Sequence, residues 1–399
     1  MNNNSITPIY YNLSLINGYK NSDEIFLSPS IIEEYNNQVI LKNQKEYYVS
    51  VARANIPTSS IPMIIVPIET NLGFDASNNP IPQPNKDLTI YKIRFRYQTE
   101  FGAFTIPFDL EKTVIFQSQF KNLTVNPPSL NNNKQDFSNS YYYVYDIEQM
   151  ILMFNDTLKS AFLEFCSQPD IPTFNPDFFP YITFDYSTRI FSINMTANYY
   201  NGATTINYFD EKVFPNISLQ FDAQSSDLFQ FTGYSIGDGF IYNNCFNKYD
   251  NITLIQDGST AQTIFKMTAS QSSLNMWRSI SKIVFIINYG ISTIQEYDSV
   301  PIASNENTQI NNSSKPQVPI LTDLETDLYN WSINRNYITF DSNSITQARL
   351  ISMTGAMLQS FKLSVKWVDV FGNYQDINLP QGQPLSIKLA FYPKTTTLI

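Results

Sequence analysis

Close to its end the chain alternates with a period of two. In FKLSVKWVD, Phe361, Leu363, Val365 and Trp367 fall on one side, with Lys362, Ser364 and Lys366 on the other. That is the pattern of a strand with one buried face. After a turn-rich stretch, Leu385, Ile387, Leu389 and Phe391 line up against Ser386 and Lys388. Residues 88–97 alternate as cleanly: Tyr91, Ile93, Phe95 and Tyr97 oppose Lys92, Arg94 and Arg96, and this basic row reads as the solvated face of a strand. Within 39–56 Tyr47, Val49 and Val51 share a face, and 181–195 reads as a hairpin in which Ile182, Phe184 and Tyr186 lead out and Phe191, Ile193 and Met195 return. Further strands are predicted in GAFTIPF (102–108), TVIFQSQF (113–120), 213–221, 251–255, 337–340 and 347–353. Residues 282–289 are almost continuously apolar, which suits a strand buried on both faces.

One segment has helical spacing. Asp146 can cap, with Gln149 three residues on, and Ile147, Ile151, Phe154, Leu158, Phe162 and Phe165 recur every three or four positions. The stripe is expected to pack on a sheet; a helix that binds a partner is the alternative. Between these elements lie Pro/Asn-rich connections: Pro57, Pro62 and Pro67 in quick succession, then residues 78–86, 126–140 and 304–317. No repeat at a solenoid period is present. Many short strands, long connections and one helix predict an all-β chain of sandwich or jelly-roll type.

Composition narrows what such a chain can do. Hydrophobic residues are 43% and charged residues only 15%, so Asn, Gln, Ser and Thr must supply much of the surface, and 30 Phe and 26 Tyr favour strands and interfaces. A net charge of −10 argues against nucleic acid as a partner, which needs a basic face. The chain has no histidine, which excludes Ser-His-Asp and Cys-His nucleophile activation, histidine-ligated metals and a histidine pH switch. Two cysteines, Cys166 and Cys245, do not make a disulfide scaffold and point to a reducing compartment. The start of the chain lacks the features of a signal peptide, and the longest apolar run, 283–291, is too short to span a bilayer, so a product made inside a cell is expected.

Asp and Glu are the remaining candidates for chemistry. Asp323, Glu325 and Asp327 alternate; on a strand they could gather Ca²⁺, whereas the plainer reading is a solvated acidic loop. Asp177 and Asp185, flanked by aromatics, are the best candidates for a glycosidase pair. GYSIGDGF (233–240) lacks the lysine and context of a phosphate loop and reads as a turn. The expectation is therefore no enzymatic activity, with no catalytic, cofactor-binding or metal site and no cofactor. Exposed aromatics would serve a carbohydrate-binding face or subunit interfaces equally well.

The end of the chain carries a family likeness. PILTDLE (319–325) is followed by a strand with Trp367 and Asp369, then Gly372-Asn373, a turn at Leu379, Pro380 and Gly382, and a final SIKLAF strand. The run resembles the penton and minor capsid proteins of virophages, polinton-like viruses and related large DNA viruses. EYYVSVARANIPTSSIP and the helix-plus-hairpin region from YYYVYDIEQM to ITFDYSTRIFSI resemble further parts of such proteins. The resemblance implies a jelly roll with an inserted or second domain. Residues 1–100 and 275–399 would form the jelly roll, the last two strands completing its sheet, and 101–274 the β-rich insertion, with its helix near 146–165. It implies a virion structural protein, a minor capsid or penton-like component of an icosahedral shell, assembled in the host cell cytoplasm. Its partners would be copies of itself, a pentamer among the options, and a major capsid protein. A receptor- or glycan-binding spike or fibre protein is the alternative.

Overall fold

The computed structural model describes residues 7–17, 28–29, 31–35, 39–82, 85–97, 108–118, 127, 135, 140–169, 179–196, 217–231, 234–235, 239–242, 251–257, 260–274, 277, 280–291, 302–303, 308–309, 319–325, 337–341, 349–350, 357–369, 372–379 and 382–394. Its main elements in chain order are β1 (Ile9–Ile16), β2 (Ile31–Tyr35), β3 (Tyr47–Pro57), β4 (Leu88–Tyr97), β5 (Phe108–Ile115) and α1 (Ile147–Cys166). There follow β6 (Tyr181–Asp185), β7 (Ile190–Thr196), β8 (Ile217–Asp222), α2 (Ala223–Phe229), β9 (Tyr234–Ser235), β10 (Phe240–Tyr242), β11 (Asn251–Asp257) and β12 (Thr260–Thr268). The chain closes with β13 (Ile280–Tyr289), β14 (Ile320–Glu325), β15 (Tyr337–Asp341), β16 (Ser360–Asp369), β17 (Tyr374–Asp376) and β18 (Pro384–Pro393). Two compact units result: Met1–Met63 with Phe120–Thr124 and Arg278–Ile399, and Ile64–Gln119 with Val125–Trp277.

The first unit is an eight-stranded jelly roll. One sheet has the order β1-β18-β3-β15 and the other β2-β16-β13-β14, every pairing antiparallel, with β17 added beside β16. Successive strands of the roll alternate between the sheets except β13 and β14, which are neighbours in the second sheet, the strand order of two joined Greek keys. The amphipathic rows read from sequence are its core: Phe361, Leu363, Val365 and Trp367 from β16, and Leu385, Ile387, Leu389 and Phe391 from β18, are all buried. These closing strands do not complete one sheet, however. β16 lies between β2 and β13, β18 lies between β1 and β3, and the connection between them crosses from sheet to sheet. Contact across the sandwich is direct, with the Tyr11 and Phe361 rings edge to face at 5.9 Å.

β13 is buried on both sides, as its continuous apolar run implies. Ile283, Phe285 and Ile287 fill the sandwich core, while Val284 and Ile286 join Ile320, Val368 and Tyr374 in a second cluster on the opposite face. At the end of β13, Gly290 adopts φ +90°, and an added Cβ would run into the Ser360 carbonyl oxygen, so glycine is what lets β13 and β16 approach there.

The second unit is built on two sheets, β9-β10-β8-β4-β5 and β6-β7-β12-β11. This unit starts at Ile64 and includes β4, both of whose hydrogen-bonded neighbours, β5 and β8, belong to it. α1 covers β4 with the expected stripe: Ile147, Ile151, Phe154, Leu158, Phe162 and Phe165 are buried, and Phe95 meets both Phe162 and Phe165 at 6.0 and 5.5 Å. Asp146 caps the helix by accepting the Gln149 N–H at 2.8 Å. The Gln149 side chain donates instead to the Gln117 carbonyl at 2.7 Å, so only half of the capping box forms. α2 was not anticipated: Asp222 ends a strand and at once caps a short helix through the Ser225 N–H. Phe191, Phe229 and Trp277 close this core, and the Trp277 indole N–H donates to the Leu228 carbonyl at 2.7 Å.

Candidate functional site

Of the carboxylates singled out for chemistry, Asp185 and Asp323 are held in structural bonds. Asp185 lies exposed at the β6–β7 turn, where it accepts the Ser187 hydroxyl at 2.6 Å and the Ser187 N–H at 2.8 Å. Those bonds, the hydroxyl foremost, hold its carboxyl down at about 2, the opposite of what a general acid requires. Its proposed companion, Asp177, lies outside the described residues. Asp323 and Glu325 are not in a loop. They lie on β14, and Asp323, half-buried, pairs with Lys282 of β13 at 3.3 Å. Asp327 is outside the described residues, among which no group of three or more His, Cys, Asp or Glu side chains could hold a metal ion.

Cys166 ends α1 half-buried, and burial pushes its thiol up to about 11, so it stays protonated at neutral pH. Cys245 lies outside the described residues. Within the 233–240 stretch, Tyr234 and Ser235 of β9 pair with Tyr242 and Ile241 of β10 and Gly239 has φ +88°, while 233 and 236–238 lie outside the described residues. Among the described residues no helix is long and apolar enough to cross a membrane.

The basic row of β4 is solvated only at Lys92. Arg96 forms a bidentate pair with Asp109 of β5, both bonds at 2.6 Å, and Lys92 lies 3.3 Å from Glu111. Arg94 is 6% exposed: its Nε donates to Gln220 of β8 at 2.6 Å, and its guanidinium lies 3.9 Å from the centre of the Phe240 ring. The cations are consumed within the sheet, because β5 and β8 place acceptors opposite each one. This leaves little free charge for an anionic polymer.

The outer face of the β1-β18-β3-β15 sheet has a different character. Tyr48, Ala52, Ala390 and Tyr392 form an apolar cluster there, away from the sandwich core. Tyr10, 52% exposed, carries the Lys388 ammonium 4.5 Å from its ring centre, and Lys394 lies 5.8 Å from the Tyr48 ring. Among the described residues β1 is the last strand on one side of this sheet, and Ile9 and Ile16 are exposed. Tyr10, Tyr48 and Tyr392 drew no attention in the sequence. Their only signal was period: each falls on the polar phase of its strand, where an aromatic is unexpected.

Comparisons with known proteins agree with this architecture. A family model described as Sputnik minor capsid protein V18/19 matches residues 9–393. Over 161 residues, 39% of this chain and 83% of the relative, the sequence is 30% identical to the uncharacterized protein V18 of Sputnik virophage. The fold is similar to a chain of the cryo-EM structure of the Sputnik virophage, with TM-score 0.68 and 24% identity over 97% of this chain and 98% of that one. It is also similar to the crystal structure of the mavirus penton protein, with TM-score 0.54 and 16% identity over 97% and 99% of the two chains. A jelly roll and a family match over almost its whole length lead to one assignment: the chain belongs to the Sputnik minor capsid protein V18/19 family and is a minor capsid structural protein of the virion.

Proposed function

We propose that this chain acts without enzymatic activity as a ring-forming vertex protein, a homo-oligomer seated beside a major capsid protein in an icosahedral shell. The observation that carries the reading is the complete jelly roll of the first unit, together with the family match from residue 9 to residue 393. Cyclic assembly follows because a vertex imposes its rotational symmetry on whatever fills it, a pentamer at a five-fold position. Assembly belongs in the host cell cytoplasm, where reduced thiols suit a chain that relies on packing rather than disulfides. Neutralised arginines and a net charge of −10 support a role without nucleic acid. A glycan-binding platform is less well supported: one face of Tyr10 is taken by Lys388, and Tyr186 donates its hydroxyl to Glu148.

Co-expression with a virophage major capsid protein tests the proposal. Gradient sedimentation and cryo-EM of the particles should show the chain at the vertices of closed shells. Shells that close without it, together with failure of the purified chain to bind them, would overturn the proposal.

A further inference from the structure

We propose that the outer face of the β1-β18-β3-β15 sheet, centred on Arg53 and Lys388, is a docking site for carboxylates of a second copy of this chain. The proposal rests on the reading of the protein as a self-assembling capsid component and names a surface that assembly would use.

A local irregularity puts Arg53 on this face. Val49, Val51 and Arg53 fall at alternate positions of β3, and Val49 and Val51 are buried. In a regular strand Arg53 would follow them into the sandwich core. β3 is not regular there. Leu389 of β18 pairs with Val51 and Lys388 with Arg53, which leaves Ala52 as the extra residue of a bulge. The bulge shifts the phase by one position, so that Ala54 and Ile56 take the buried side and Arg53 turns out, exposed. Bulges re-aim single side chains in this way and are over-represented next to functional sites.

The re-aimed arginine stands directly across from Lys388 in the neighbouring strand, and like charges at opposed positions repel. The same row continues to Asn12 of β1 on one side and Asp341 of β15 on the other, so it holds two cations and one carboxylate. Elsewhere the strands match their cations. Lys92, Arg94, Arg96, Lys112, Lys282 and Lys366 each lie within 4.0 Å of a carboxylate oxygen. Positive charge in excess is thus kept on this face, and an incoming carboxylate between Arg53 and Lys388 would relieve the repulsion while forming charge-assisted hydrogen bonds.

The surroundings suit a protein surface as the partner. The Lys388 ammonium lies 4.5 Å from the centre of the Tyr10 ring, which is 52% exposed, and Lys394 brings a third cation within 5.8 Å of the Tyr48 ring centre. Tyr48 lies directly opposite Tyr392 and packs with Ala52 and Ala390. Tyrosines set among small residues give large contact area at low conformational cost, the composition of an interface centre.

Charge points to the occupant. Arg53, Lys388 and Lys394 stand here with Asp341, a cationic balance within a chain of 25 basic and 35 acidic residues. The remainder of every copy is therefore more acidic than the chain as a whole, and a head-to-tail contact sets this face against opposite charge on its neighbour.

The test is sedimentation of the full chain over a concentration series. Arg53→Glu and Lys388→Glu each reverse one charge of the pair and should raise the concentration at which half the protein is assembled by about tenfold or more. Lys159→Glu makes the same change in net charge on the exposed side of α1 and should leave the midpoint unchanged. The wild-type midpoint should rise with salt, and that of Arg53→Gln/Lys388→Gln should rise less. The neutral double variant also repeats the test if either reversal loses its β-sheet circular dichroism. A wild type that assembles alongside variants that assemble equally well overturns the inference and leaves the vertex reading standing. A Lys159→Glu variant weakened as much as the other two overturns it as well, because net charge alone then sets the midpoint. Variants that self-assemble normally but no longer bind the shell protein also overturn it, assigning the face to that protein. A wild type that stays monomeric at every concentration overturns both.

Discussion

Gly290→Ala probes the close approach that joins β13 to β16. The substitution adds one methyl group at φ +90°, where it would meet the Ser360 carbonyl oxygen and lie 2.6 Å from the Phe361 Cα. A Cβ in left-handed backbone costs about 1–2 kcal/mol, and forcing two packed strands apart costs about 1–3 kcal/mol. The alanine stiffens the unfolded chain and offsets about 0.4–1 kcal/mol of this. The net loss is about 3 kcal/mol, or about 6–12 °C in the melting midpoint of a unit of this size. Gly73→Ala separates the two terms: Gly73 has φ +106° but nothing within 4 Å of an added Cβ. It should cost only about 1 kcal/mol. Scanning calorimetry of both variants against the wild type makes the comparison. If Gly290→Ala melts no lower than Gly73→Ala, the packing of β13 on β16 is not as described.

Asp146→Ala removes the cap from α1 and should cost about 1 kcal/mol, read as faster hydrogen exchange at Gln149 and its neighbours in the first turn. Trp277→Phe keeps an aromatic but loses part of the buried indole and leaves the Leu228 carbonyl without its indole donor. It should lower stability to denaturant by about 1–3 kcal/mol, and Trp277→Ala by about 3–5 kcal/mol. Asp185 has a folded-state value of about 2, below the usual 3.8, so its turn bonds are at full strength above about pH 4 and are lost as pH falls through about 2. Carbon-13 NMR titration should place its midpoint there, and a midpoint near 4 would show that the Ser187 bonds do not form in solution.

Period was the most readable property of the sequence. Where one face of an element is core and the other is water, as in β16, β18 and α1, the apolar row is the buried row. Elements were missed where that contrast fails. Tyr10 and Ile16 sit on the outward row of β1 and blur its alternation, and α2 follows β8 without a loop because Asp222 serves both as strand end and as cap. The basic row of β4 misled because residue type cannot report what lies opposite. Arg94 is buried by Gln220 and Phe240, respectively 126 and 146 residues further on, and only the strand order reveals it. The same limit applied to the closing strands, whose rows were legible but whose membership of opposite sheets depends on β1, β2 and β3 at the other end of the chain. The candidate surface was the least legible feature, since it depends on which outward rows the strand order sets side by side.

The central claim, that this chain is built to assemble, is tested most directly by its mass in solution. Light scattering on the purified wild-type protein across a concentration series should show one closed oligomer, a fixed whole-number multiple of the 45.9 kDa chain that stops growing at high concentration. A strict monomer at every concentration, still unassociated when a major capsid protein is added, would contradict the account.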